Sequence, residues 1–168
     1  MQLIPKQKHT YRSKHAPDAI AALIDELIDP EPKVMTIKYG KPQGKPYYGS
    51  WSSDDRSFSI VRKINHRNSF LPRIKGTIEP DGSGSVVHVT MRMPLLVRGF
   101  IAFWLSGVSF GLITVVGHSI REGSWGWWVL APIGMILFML MIVNFGFRTE
   151  AAKSKKHLAQ LFETAAEA

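Results

Sequence analysis

The stretch NHRNSF, Asn65 to Phe70, is the densest polar cluster in the first half of the chain. His66 could act as a general base on Ser69, which is the chemistry of serine hydrolases. That chemistry also needs a carboxylate to orient the imidazole, and no G-x-S-x-G elbow surrounds Ser69. We therefore predict no catalytic residues and no enzyme, and keep a membrane-bound hydrolase only as an alternative.

Arginines around the same stretch suggest a second chemistry, the binding of an anion or of phospholipid headgroups. The competing interpretation is an exposed turn whose Asn and Ser side chains hydrogen-bond their own backbone. Basic residues beside the apolar segments described below extend the set of candidates. The candidate headgroup or anion contacts are Arg62, Arg67, Arg73, Arg98, Arg148, Lys153, Lys155 and Lys156.

Metal and cofactor chemistry find no support in the sequence. The chain contains no cysteine, and its six histidines show no metal-binding spacing of the HExxH kind. GSGS, Gly82 to Ser85, lacks the Lys-Ser/Thr pair and the helix that complete a phosphate-binding loop. We predict no metal site and no cofactor.

The first 93 residues have the pattern of a small α+β head that would position these side chains. In APDAIAALIDELIDPEP the aliphatic residues recur at helical spacing, which predicts an amphipathic N-terminal helix. About five short strands follow, and their short connections predict a mostly antiparallel sheet. These runs are KVMTIKY, YYGSW, SFSIVRKI, RIKGTIE and SVVHVTMRM, the last two joined by the hairpin turn PDGSG.

Two long uncharged runs follow the head and predict a two-helix transmembrane hairpin. Gly99 to Gly117 provides 19 residues without a charge. As a helix this run would be about 28 Å long, which matches the hydrocarbon core of a bilayer. Trp125 to Phe147 provides 23 more. The alternative is a buried hairpin in a soluble protein, but tryptophans at the start of the second run are typical of membrane-interface anchors: Trp125, Trp127 and Trp128.

The placement of charge predicts the orientation of the hairpin. The formal net charge is +8, and sixteen Lys and Arg precede Gly99, whereas the connector Gly117 to Trp125 contains one. Basic residues avoid the non-cytoplasmic side of inner-membrane proteins, so we predict both termini inside. The N-terminus has no apolar core of signal-peptide length, and no nucleic-acid-binding motif accompanies the basic charge. We predict membrane lipid as a partner and no nucleic acid.

Small and polar residues within the runs suggest sites of helix packing. Gly107, Gly111 and Thr114 share a small-xxx-small ridge that could form a dimer seam. The interpretation that we favour is that Gly107 admits the second helix of the same hairpin. Asn144 could hydrogen-bond a neighbouring helix, but its place one turn from the basic flank favours solvation at the interface. Pro132 is the predicted kink.

The run from Phe58 to Met93 resembles a pattern in small bacterial two-transmembrane proteins that have a β-rich N-terminal domain and no assigned function. The pattern reads F-x-I-x-R, then R-N-S-F-x-P-x-I-x-G, then a hairpin that leads into two spans. The residues that match it are Phe58, Ile60, Arg62, Arg67, Asn68, Ser69, Phe70, Pro72, Ile74 and Gly76. The resemblance implies a bacterial origin and the same architecture, and it implies no activity.

These patterns divide the chain into four parts. We predict a flexible basic N-terminus over residues 1–15, the α+β head over 16–93, the hairpin over 94–147 with spans near 97–118 and 125–147, and a basic helical tail over 148–168. Pro94 ends the last strand and starts the first span, so the head should lie directly against the bilayer. The expected role is that of an accessory, sensor or immunity-type factor of the bacterial inner membrane, acting through protein or lipid contacts. The alternative is a small oligomeric pore or transport subunit assembled through the Gly107 and Gly111 face.

Overall fold

Over residues 4–30, 44–65 and 68–164, which the computed structural model describes, the chain combines a six-stranded sheet with three helices. This architecture confirms the predicted α+β class. The strands are β1 (Lys6–Ser13), β2 (Ile28–Pro30), β3 (Tyr47–Ser52), β4 (Ser57–Arg62), β5 (Arg73–Asp81) and β6 (Gly84–Arg92). The helices are α1 (Pro17–Glu26), α2 (Leu95–Glu122) and α3 (Leu130–Thr164), and a short 3-10 turn at Trp127–Val129 precedes α3.

The strands lie in the order β1-β6-β5-β4-β3-β2. Neighbours are antiparallel, except that β2 runs parallel to β3 with Ile28 opposite Tyr47. Strands β3 to β6 correspond to four of the predicted runs, and the predicted turn joins β5 to β6 with Gly82 at φ 60°. The predicted strand KVMTIKY, Lys33 to Tyr39, lies outside the described residues.

The prediction of a flexible N-terminus is wrong for the segment that forms β1. This strand pairs with β6 along its whole length, from Lys6 opposite Arg92 to Ser13 opposite Ser85. Its charged residues alternate with His9 and Tyr11, which are half-buried on the other face of the strand. Alternation of this kind is typical of a half-buried strand. The high density of charged residues led instead to the prediction of a flexible segment. As a result β1 covers an edge of β6 that would otherwise be exposed.

One face of the sheet holds the core of the head. Apolar residues of α1 and of the second half of α3 belong to the same buried cluster as the inward residues of the strands. The buried apolar residues of the strands are Ile28, Tyr47, Phe58, Ile60, Ile74, Ile78, Val87, Val89 and Met91, and those of α1 and of α3 beyond Glu150 are Ile20, Ile24, Ala151, Leu158 and Phe162. The head therefore does not end where α2 begins, because α3 returns to complete it.

A glycine in the middle of β5 makes room for the aromatic ring of Phe58 in this core. Gly76 lies opposite Phe58 in the register, and a Cβ at Gly76 would lie 2.2 Å from Cζ of Phe58. We expect Gly76→Ala to lower the free energy of unfolding by about 1–3 kcal/mol, the usual cost of overpacking a core. The measurement is hydrogen exchange of the sheet amides in lipid nanodiscs.

The matched control for Gly76→Ala is Lys75→Ala on the outward face of the same strand, which should change stability by less than about 0.5 kcal/mol. Shortening the ring in Gly76→Ala/Phe58→Leu should recover part of the loss. Equal protection in the Gly76 variant and the unsubstituted chain would show that the ring does not press on this glycine.

Both apolar runs form helices that are long and apolar enough to cross a membrane: α2, and the stretch Trp127–Phe162 that contains most of α3. In each, 11% of the most apolar window is buried, which is unlike the core helix of a soluble protein. The helices exceed the predicted spans: α2 ends at the left-handed Gly123, and α3 continues through the predicted tail to Thr164. Pro132 does not interrupt α3, because it lies in the first turn, where the missing N–H needs no partner.

Candidate functional site

A buried carboxylate lies where α3 leaves its apolar half and meets the sheet. Glu150 is 2% exposed, three residues beyond the uncharged run. Arg62, the last residue of β4, donates from Nη2 to Oε2 of Glu150. Lys153, from the next turn of α3, donates to Oε1 at 3.0 Å. This carboxylate therefore joins the end of a central strand to the helix.

The electrostatics of this cluster favour the ionised carboxylate. Burial alone would raise the pKa of Glu150, but the hydrogen bond from Lys153 and the charges of Arg62 and Lys153 lower it. The net effect is a pKa below the ordinary value of 4.5. Glu150 is thus a fixed negative charge at neutral pH, and its tuning is opposite to that of a buried general acid.

A second link between sheet and helix lies two turns further along α3. Tyr47, at the start of β3, is 1% exposed, and its hydroxyl is 2.5 Å from Nδ1 of His157. Burial raises the pKa of Tyr47 well above its ordinary value, so the hydroxyl keeps its proton and can donate it to the imidazole. The two rings tilt against each other with centroids 5.5 Å apart.

A third link borders the same region, and it is an ion pair at the β2 edge of the sheet. Lys63, whose side chain is 5% exposed, donates to Oδ2 of Asp29, and the backbone N–H of Lys45 donates to the same oxygen at 3.1 Å. The hydrogen bond from Lys63 is the main cause of a lowered pKa at Asp29. Nζ of Lys63 also lies 4.2 Å from the ring centroid of Tyr48, a cation–π contact.

These three links border a groove of about 380 Å³ between the sheet and α3. Four of its lining side chains are cationic and are partly balanced by Glu150 and Asp29, so the groove keeps a net positive charge that suits an anionic group of a ligand or partner. The lining residues are Pro46, Arg62, Lys63, Lys153, Lys156, His157 and Gln160. Since Arg62 belongs to the sheet and Lys153 to α3, a bound anion would contact both elements at once.

The structure divides the predicted headgroup contacts among several places. Arg62, Lys153 and Lys156 meet at the groove. Arg73 begins β5, Arg98 is half-buried in the first turn of α2, and Arg148 and Lys155 are exposed on α3. Arg67 and His66 lie outside the described residues. The described part of the chain holds no group of three potential metal-ligating His, Asp or Glu side chains.

The loop after β4 holds the head against the apolar helices. Asn68 Oδ1 accepts a hydrogen bond from the backbone N–H of Phe70 at 2.9 Å. This bond agrees with the interpretation of the stretch as a turn whose side chains hydrogen-bond its own backbone. The Phe70 ring lies so close to Gly146 that a Cβ there would be 2.8 Å from it. A second groove, of about 530 Å³, opens beside this loop towards α2 and is mostly apolar: Asn68, Ser69, Phe70, Leu96, Val97, Phe100, Ile101 and Met139.

The glycines of α2 do not mediate the contact between the two apolar helices. A Cβ at Gly107 or Gly111 would meet no atom within 4 Å, and Thr114 uses its hydroxyl to donate to the carbonyl of Gly111 at 2.8 Å. The interpretation that Gly107 admits the second helix is therefore wrong, because this ridge points away from α3. The dimer-seam interpretation stays a prediction.

Asn144 is not solvated at an interface as expected. It is 6% exposed within α3, and its Nδ2 donates to the carbonyl of Leu140 at 2.8 Å. The predicted tryptophan anchors lie at the opposite end of the helices from the head, where Trp125 and Trp127 are 64% and 77% exposed. Trp128 turns back, with Nε1 3.5 Å from Oγ of Ser119 on α2.

The chain has no match among known protein families, curated proteins or solved structures. The site must therefore be interpreted from its own residues. Sequence reasoning identified Arg62, Lys153 and Lys156 but missed Glu150, Tyr47 and His157. The signal available in the sequence was Glu150 itself, which lies three residues after the uncharged run of 23 residues. It was interpreted only as part of a basic tail.

Proposed function

We propose that this chain is an integral protein of the bacterial inner membrane whose cytoplasmic head acts by binding protein or lipid, as an accessory, sensor or immunity-type factor. The observation that carries the proposal is the double role of α3. Its first half is apolar and mostly exposed, as a lipid-facing helix is, and its second half supplies Ala151, Leu158 and Phe162 to the core of the head. One helix thus joins a membrane span to the head without a linker.

Three further contacts support a head held at a fixed angle to the bilayer. Pro94 alone separates Met93, which is buried beside the end of β6, from the first residue of α2. Phe70 packs on Gly146, and Arg62 pairs with Glu150. A head fixed in this way would transmit the binding of a partner to the spans, which is what an accessory or sensor subunit requires.

The distribution of charge supports a cytoplasmic head. Twenty of the 21 Lys and Arg residues precede Gly99 or follow Phe147 in the sequence. The connector beyond the far ends of the apolar helices contains only Arg121. Exposed Trp125 and Trp127 at that end suit the opposite interface.

The experiment that tests the proposal is a topology map with paired reporters, alkaline phosphatase and green fluorescent protein. Fusions after Ala168 and within Ile120–Ser124 should give fluorescence without phosphatase activity at the first position and the reverse at the second. Green fluorescent protein fused ahead of Met1, with both spans intact, is the control for a cytoplasmic head. Phosphatase activity at Ala168, or a protein that partitions into the soluble fraction, would overturn the proposal.

The outward position of the α2 glycines favours one second candidate, an oligomeric pore or transport subunit. Gly107 and Gly111 form an open strip that a second α2 could approach closely. Because the chain has no cysteine, Gly107→Cys provides a unique cross-linking site. Efficient disulfide formation in membranes at this position, and much less at the exposed control Ile113→Cys on a different face of α2, would favour an oligomer; monomers alone would exclude this seam.

A further inference from the structure

The face of the sheet opposite the core carries an ordered array of cations. Strand register aligns Lys6, Arg92 and Arg73 in one row across β1, β6 and β5. The next outward row places Lys8 and Lys75 on either side of Thr90. Outward residues two apart on a strand are separated by about 7 Å, so five cations occupy two adjacent rows. We call these five residues the basic rows.

The opposite end of the same face has a different charge pattern. There Arg12 lies 4.0 Å from Asp81, and His88 lies 3.8 Å from Glu79. The acidic side chains of β5 are thus confined to the end near the β5–β6 hairpin. The sheet face is polarised along its strands, with a basic end and a charge-balanced end.

The basic end is the one that adjoins the apolar helices. Arg92 ends β6, and α2 begins three residues later at Leu95. Strand ends this close to the start of a proposed membrane span would lie at the depth of the lipid headgroups. The headgroup layer on each side of a bilayer is about 5–7 Å thick, which is the spacing of the two rows.

Neighbouring cations of the basic rows repel one another. Desolvation, followed by the charges of Arg92 and Lys8, lowers the pKa of Lys6. Like charges opposite each other destabilise an antiparallel pair, yet the register places Lys6, Arg92 and Arg73 side by side. An anionic surface would relieve this repulsion.

We propose that the basic rows bind the anionic phospholipid headgroups of the membrane in which α2 and α3 are embedded. This inference rests on the proposed function, and it specifies which surface of the head faces the bilayer. Anionic lipid is the occupant because the array continues directly into a span and is extended rather than concave. Two rows within the depth of the headgroup layer can contact several headgroups at once, whereas the groove beside Glu150 suits a single anionic group.

Site-specific labelling of the full chain tests this contact. Thr90→Cys places a unique thiol between Lys8 and Lys75, and Ser83→Cys places one in the hairpin turn at the charge-balanced end. Each variant carries a fluorophore and is reconstituted in phosphatidylcholine nanodiscs with a trace of lipid that bears a headgroup quencher. This lipid is zwitterionic in one set and anionic in the other, the anionic nanodiscs, so a head held at a fixed angle reports which lipid is enriched beside it. We expect several-fold stronger quenching at position 90 in the anionic nanodiscs, reversed by high salt, and no such change at position 83.

Charge removal gives the matched comparison. One basic residue near an anionic surface is worth about 1 kcal/mol, a factor of about five in association, so Lys8→Gln/Lys75→Gln/Arg92→Gln should abolish the dependence on lipid composition. Arg12→Gln removes a cation from the balanced end of the same face and should leave that dependence unchanged. Equal quenching in the two lipid compositions, or an undiminished response in the triple variant, would overturn the proposal.

Two further outcomes have defined meanings. If the thiol at position 90 is protected from labelling in native membrane vesicles but not in anionic nanodiscs, the surface belongs to an acidic protein partner, and the lipid proposal is overturned. Quenching of tryptophan fluorescence by lipids brominated in their acyl chains tests membrane insertion separately. Absence of that quenching would overturn the proposed function, whereas normal insertion without a lipid-dependent signal at position 90 would overturn only the basic-row contact.

Discussion

Replacement of Glu150 by alanine is expected to lower the free energy of unfolding of the head by about 3–5 kcal/mol. The carboxylate is 2% exposed and pairs with Arg62, whose side chain is 23% exposed. Its loss leaves the guanidinium in a mostly buried position without this partner and removes the link between β4 and α3. The measurement is denaturant-dependent hydrogen exchange of the sheet amides in nanodiscs.

Two control variants separate the cost of an uncompensated charge from the loss of a side chain. Arg62→Leu/Glu150→Leu removes both charges and should be much less destabilising than Glu150→Ala. Lys153→Ala removes the partner that is 53% exposed and should cost less than about 1 kcal/mol. If the double variant is as unstable as Glu150→Ala, the ion pair does not hold the helix to the sheet.

The same carboxylate should make the stability of the head fall in acid. Because the folded-state pKa of Glu150 is lowered, its contribution is complete above the unfolded value near 4.5 and is lost as the pH falls through the folded-state value. Asp29 has a lowered pKa as well and acts in the same direction. A titration of stability should show a shallower acid limb in Arg62→Leu/Glu150→Leu, and identical limbs would contradict this assignment.

Phe162→Ala should also be strongly destabilising, by about 3–5 kcal/mol, the usual cost of removing a buried phenylalanine. Phe162 is 2% exposed near the end of α3, and its ring centroid lies 5.2 Å from that of Tyr11 on β1. Hydrogen exchange should accelerate first in β1, since this strand is an edge of the sheet. Lys156→Ala, exposed on the same half of α3, is the control. Unchanged protection of β1 would show that α3 does not hold this strand in place.

Local patterns explain which parts of the fold could be predicted. The β5–β6 hairpin follows from alternating residues around Asp81 and Gly82, and the apolar helices follow from uncharged runs of sufficient length. The amphipathic repeat that contains Ile20 and Ile24 gave α1. Each of these signals is contained within about thirty residues of sequence and needs no partner from elsewhere in the chain.

The parts that were missed depend on distant partners. Strand β1 forms because β6, about eighty residues away, offers it an edge, and β2 pairs in parallel with a strand that follows it beyond a long connection. Arg62 and Glu150 are 88 residues apart and meet only because α3 returns to the sheet. The spacing of Gly107 and Gly111 does not show which helix they face, because the same ridge could contact α3 of the same hairpin or a second copy of α2.

The proposed coupling of the head to the membrane requires α3 to be one continuous helix that is both a membrane span and part of the head. Pulsed electron spin resonance on Ile133→Cys/Lys155→Cys in nanodiscs measures this directly, because the 22-residue separation along an unbroken helix predicts a backbone distance of about 33 Å. Insertion of Gly-Gly-Ser after Arg148 provides the broadened control. A single narrow distribution near the helical distance, lost on insertion, is the expected result; a broad or two-peaked distribution in the uninserted chain would contradict the account.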